Sequence, residues 1–191
     1  MGTDNTPLDK TGPAQAAFQT RTIALVGLMG AGKSTVGRRL ADALGRTFHD
    51  SDEEIEKAAG LSVADIFSIH GEAEFRRGEH RVLKRLLDQP PHVLATGGGA
   101  YLDPETRKLL RARAVTVWLN ADLETLWKRV SKRDDRPLLR AADPKGVLGR
   151  LFEEREPIYA QADLKVDSAD GPHRDTVDAI LSALQTWTPN V

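Results

Sequence analysis

The run Gly27-Leu28-Met29-Gly30-Ala31-Gly32-Lys33-Ser34-Thr35 has the residue types of a phosphate-binding loop at the spacing G-x-x-x-x-G-K-[ST]. Its glycines let the backbone turn tightly and bring several N–H groups onto one anion. Lys33 can reach the β- and γ-phosphates, and the Ser34 hydroxyl can ligate Mg²⁺. The motif points to a nucleoside triphosphate without saying where its phosphate goes. Three further clusters bear on that question. Asp50-Ser51-Asp52 closes a short apolar run, and strand alternation puts Asp50 and Asp52 on one side. Two close carboxylates suit a magnesium shell and a hydroxyl proton, but Ser51 or Asp52 would equally serve as a helix N-cap. Thr96-Gly97-Gly98-Gly99 ends another apolar run, either offering bare N–H groups to a ligand or making a tight turn. A P-loop ATPase or GTPase would end a strand here in aspartate, and its absence counts against those classes.

Cations complete the set. Arg76 and Glu79 are i, i+3 neighbours, the spacing of an ordinary surface ion pair. Arg155 falls on the apolar stripe of Val147, Leu151 and Ile158, where a cation either snorkels to water or meets an anion. From Arg129 to Arg140 there are five cations and two anions, a basic stretch suited to a mobile lid over phosphates.

The elements that must carry these groups alternate along the chain. Expected strands are Ile23–Val26, Arg46–Asp50, His92–Thr96, Val115–Leu119 and Leu164–Asp167. A helix after the phosphate loop shows Val36, Leu40 and Leu44 on one face and stops at Gly45. Residues 51–79 are expected to hold two short helices, with a helical face over Glu72–Leu87. Ser62, Asp103, Asp122 and Asp143 read as N-caps, and the last helix runs from about Arg174 to Thr186. This alternation predicts a three-layer α/β/α domain around a parallel sheet.

The 191-residue chain with a net charge of −1 is expected to be one domain with no nucleic-acid or membrane partner. It lacks cysteine, which excludes disulfides and thiolate chemistry, and its five histidines lack metal-site spacing. No apolar run reaches the ~18 residues of a membrane helix. Residues 1–20 are polar, lack the apolar region of a secretory signal, and read as a disordered tail ahead of a domain at 21–191. A cytoplasmic protein is the expectation.

Taken in order, GLMGAGKST, DSD, FRRGE, TGGGA, RPLL and EREPIY resemble the shikimate kinase family over about residues 22–186. The resemblance implies the nucleoside monophosphate kinase-like fold: a five-stranded parallel sheet with a substrate-binding insert, here about 51–79, and a lid, about 131–143. It implies MgATP-dependent phosphorylation of the shikimate 3-hydroxyl by a monomer whose partners are the small molecules shikimate and ATP. By the same resemblance Lys33, Asp52 and Arg136 would be catalytic. Gly30, Ala31, Gly32, Lys33, Ser34, Thr35, Arg129 and Arg136 would contact ATP, and Ser34 and Asp50 would hold Mg²⁺. Shikimate would meet Asp52, Arg76, Gly97, Gly98, Gly99 and Arg155, with Glu79 positioning Arg76. Gluconate kinase and a non-catalytic nucleotide-binding homologue are the alternatives.

Overall fold

The computed structural model describes residues 17–132 and 142–189. Five strands form one sheet in the order β2-β3-β1-β4-β5, and every neighbouring pair is parallel. They are β1 (Thr22–Val26), β2 (Phe48–Asp50), β3 (Val93–Ala95), β4 (Ala114–Asn120) and β5 (Leu164–Asp167). The chain leaves β1 toward β2 and β3, then crosses back over β1 to β4. Right-handed crossovers in opposite directions lie on opposite faces, so a crevice opens at the strands' carboxyl ends.

The helices are α1 (Lys33–Leu44), α2 (Ser51–Ala59), α3 (Val63–Leu87), α4 (Pro104–Arg113), α5 (Leu123–Val130), α6 (Pro144–Tyr159) and α7 (His173–Thr186). Aspartate side chains cap α4, α5 and α6 by accepting from the N–H three residues on, and Ser62 does the same for α3. Each such cap stabilises its helix by ~1 kcal/mol. The α1 stripe buries Val36, Leu40 and Ala41 against the sheet. Its close approach depends on Gly37, where a Cβ would come 2.5 Å from the Phe48 ring of β2.

Register sets the site. Leu25 of β1 and Asp50 of β2 both align with Ala95 of β3, so the three strands end level. The phosphate loop, the aspartate pair and the glycine triplet therefore emerge side by side.

Several boundaries differ from the sequence expectation. The second and third strands are shorter, and ahead of the second Arg46 turns to the N-terminal segment and donates to the carbonyls of Arg21 and Gln19, each at 2.9 Å. The second insert helix does not end before Glu72 but continues to Leu87 through a bend at Gly71 (φ 77°, ψ 170°). A Cβ there would meet nothing within 4 Å, so glycine serves the backbone conformation rather than space. The expected tail boundary at residue 20 falls inside a packed helical turn at 17–19, where Phe18 is buried and stacks under Arg46.

Candidate active site

The donor half is built on the turn from β1 into α1. Gly32 is the N-cap of α1 in a left-handed conformation (φ 93°), and no side chain caps this helix start. The first-turn N–H groups are thus left to an anion, with the helix dipole behind them. Lys33 Nζ folds back over the loop, donating to the carbonyls of Gly27 (2.8 Å) and Leu28 (3.1 Å). Ser34 Oγ donates to Asp50 Oδ2 at 2.6 Å. The other Asp50 oxygen accepts from the Asp52 N–H at 3.0 Å and caps α2. Asp50 is therefore the cap that the sequence assigned to Ser51 or Asp52, and it meets the loop hydroxyl at the same time.

A cleft of about 420 Å³ runs beside these groups, lined by Lys33, Ser34, Thr35, Asp50, Asp52, Thr96, Gly98 and, at its far end, Lys128, Arg129, Asp170 and His173. The Arg129 fork donates to the Gly30 carbonyl (3.3 Å), Ser168 Oγ (3.2 Å) and the Ala169 carbonyl (2.6 Å). It joins the phosphate loop to residues 168–170, with the buried Ser168 hydroxyl donating to the Ala31 carbonyl at 3.0 Å.

The acceptor half is built on the glycine triplet. The Gly97 N–H donates to the buried Ser51 hydroxyl at 2.8 Å, tying the triplet to the start of α2. Thr96 spends its hydroxyl on the Leu25 carbonyl at 2.9 Å. A Cβ at Gly97 would sit 2.6 Å from Asp52 Oδ1 and 3.1 Å from Glu79 Oε1, and one at Gly99 would run into the Arg76 guanidinium. The triplet is the floor on which an aspartate, a glutamate and an arginine rest.

Arg76 donates to Glu79 Oε2 at 2.6 Å, and Glu79 is 1% exposed. This is a buried pair, not the surface contact its spacing suggests. Burial pushes the Glu79 carboxyl up to about 7; Arg76 pulls it down, while Asp52 and Asp103 add to the rise. Its Oε1 is buried without a hydrogen bond among the described residues. Arg155, on α6, is half-buried and has no ion-pair partner among the described residues. Arg136 and most of the basic segment lie outside the described residues.

Sequence reading did not assign Lys128, Tyr159 or His173 to the site. Only Tyr159 had a signal, as the last residue of the EREPIY segment.

A parallel sheet of this order, with a phosphate loop on its central strand and an arginine-bearing pocket across the cleft, defines a P-loop kinase of a small anionic acceptor. The sequence pattern of the family described as Shikimate kinase matches residues 29–185. The shikimate kinase of Caulobacter vibrioides is 56% identical over 89% of this chain and 85% of its own length. That of Paramagnetospirillum magneticum is 57% identical over 87% of this chain and 86% of its own. Among solved structures, shikimate kinase from Acinetobacter baumannii in complex with shikimate superposes with a TM-score of 0.84 at 40% identity, covering 90% of this chain and 97% of that one. The chain belongs to the shikimate kinase family.

Proposed function

We propose that the protein transfers the γ-phosphoryl group of ATP to the 3-hydroxyl of shikimate, giving shikimate 3-phosphate and ADP on the route to chorismate and aromatic amino acids. The observation that carries this reading is the seating of Asp52 on Gly97 and of Arg76 on Gly99, beside the cleft that also holds Lys33. A carboxylate for a hydroxyl and a guanidinium for a carboxylate then face the phosphate donor.

In this reading Asp52 accepts a hydrogen bond from the attacking hydroxyl and takes its proton as the phosphorus–oxygen bond forms. Arg76 and Arg155 grip the acceptor carboxylate, and Glu79 holds Arg76 in place. The Gly98 and Gly99 N–H groups have no acceptor among the described residues and remain for the substrate. Lys33 leaves its carbonyl partners to spread charge from the γ-phosphoryl oxygens, and Arg136 closes over them with a lid at about 131–143. Residues 51–79 act as the acceptor-binding insert. Holding both reactants in one cleft supplies several kcal/mol of the barrier.

The Ser34 hydroxyl and Asp50 carboxylate, 2.6 Å apart at the phosphate loop, suit Mg²⁺, which takes few protein oxygens and completes its shell with phosphates and water. Bound there, Mg²⁺ neutralises phosphate charge. No helix among the described residues is long and apolar enough to cross a membrane. A cytoplasmic monomer acting on these two substrates is the simplest assembly.

ADP release measured with ATP and Mg²⁺ tests the reading, with shikimate, gluconate and nucleoside monophosphates as separate acceptors. Turnover with shikimate alone is the expected result. Turnover with gluconate instead, or acceptor-independent hydrolysis, overturns it.

A further inference from the structure

Tyr159 ends α6 and is buried, its ring stacked on Trp118 with centroids 6.3 Å apart. Its hydroxyl donates to the Gly98 carbonyl. Arg155 stands one turn earlier on the same helix, and both it and Arg76 act electrostatically on that hydroxyl. One phenolic oxygen therefore touches the glycine triplet while lying within the electrostatic reach of both pocket arginines.

A phenol donates one hydrogen bond and accepts others, so it can give its proton to Gly98 while receiving from Arg155. The peptide after Gly98 is planar and trans, with its carbonyl and the Gly99 N–H pointing opposite ways. Pinning the Gly98 carbonyl to Tyr159 on one side fixes the Gly99 N–H on the other. A glycine-rich turn has no side chains to hold such a peptide, which is free to rotate without this anchor.

We propose that Tyr159 is a positioning residue for the acceptor, aligning the Gly98–Gly99 peptide and the Arg155 guanidinium as one carboxylate- and hydroxyl-binding wall. This rests on the assignment of shikimate as acceptor. The hydroxyl lies off the donor side, so its loss acts on acceptor binding and leaves ATP binding intact. The Trp118 stack keeps the ring in place when the hydroxyl is removed.

Tyr159→Phe tests this in steady-state kinetics with both substrates varied. The expected result is a KM for shikimate raised about tenfold, the loss of one buried hydrogen bond, with KM for ATP and kcat within about twofold of wild type. An unchanged KM for shikimate overturns the proposal, as does a proportionate loss in both KM values and thermal stability, which marks a scaffold role. A wild-type enzyme inactive on shikimate instead fails the functional assignment itself and is seen before any variant is made. Replacing Tyr159 by 3,5-difluorotyrosine keeps the side chain's shape and makes the phenol more acidic. Once ionised it cannot donate to Gly98, so the rise of the shikimate KM at alkaline pH should move to lower pH; an unmoved profile overturns the proposal.

Discussion

Arg76 and Glu79 meet at 2.6 Å on one face of α3, with Glu79 sealed from water beneath the arginine. The carboxyl is pushed up from 4.5 to about 7, first by burial. A carboxyl raised in the folded state contributes stability that is fully present below about 4.5 and lost as pH rises through about 7. The amount is on the order of 3 kcal/mol. Function runs the other way, because only ionised Glu79 holds Arg76 strongly. Glu79→Gln should therefore gain stability relative to wild type between pH 5 and pH 8 in urea unfolding. The wild type should show a fall in shikimate KM as pH rises through about 7, and Glu79→Gln should flatten it.

In the proposed mechanism Asp50 serves as the cap of α2 and Asp52 as the reacting group. Asp52→Asn leaves the cap of α2 in place, so the variant should fold like wild type yet lose about 10²–10⁴-fold in kcat. Asp50→Ala should lose ~1 kcal/mol of stability with the cap and need more Mg²⁺ for half-maximal rate. Chemical denaturation and a Mg²⁺ titration of rate distinguish the two; equal effects of both variants on kcat and stability contradict the division.

Neighbouring glycines should respond unequally. A Cβ at Gly97 collides with Asp52 Oδ1 at 2.6 Å, whereas one at Gly98 meets nothing closer than 3.6 Å. Gly97→Ala should displace the Asp52 carboxylate and lower kcat about 100-fold, since small misplacements of a reacting group are costly. Gly98→Ala should keep most of its kcat. Similar losses in both would place the sensitivity in the backbone and not in Asp52.

Arg155→Ala should raise the shikimate KM about 100-fold, the loss of ~3 kcal/mol from a charge-assisted contact, with a much smaller change in KM for ATP. Its lack of an ion-pair partner among the described residues predicts little loss of fold stability. Thermal melting and initial rates check both halves of this expectation.

The fold and the donor half were legible because their signals are contiguous. Gly27 to Thr35 is a single run, and the helix caps sit at fixed offsets from their helices. Asp52, Arg76 and Arg155 emerged through spacing and family resemblance together. Glu79 emerged as the partner of Arg76 through the resemblance, but its burial did not, because a buried and an exposed i, i+3 pair have the same spacing; only its packing against Gly97 reveals it. Ser168 and His173 are single residues in a segment without pattern, and they reach the cleft through the β4–β5 pairing and the start of α7. The bend at Gly71 was invisible as a continuation, since a glycine between helical faces more often ends a helix. Arg136 lies outside the described residues.

β2 has three residues and forms one edge of the sheet, yet it ends in Asp50 and leads straight into α2, so Asp52 stands on the first turn of a helix and not on the strand beside Asp50 as alternation predicted. A slip of one residue along β3 would move Asp50 by ~3.3 Å and turn it to the opposite face. The notch at Gly37 that receives the Phe48 ring is what prevents this slide. This three-residue edge strand is thus the ruler between phosphate donor and acceptor, and its zero mark is a phenylalanine seated where α1 lacks a methyl group.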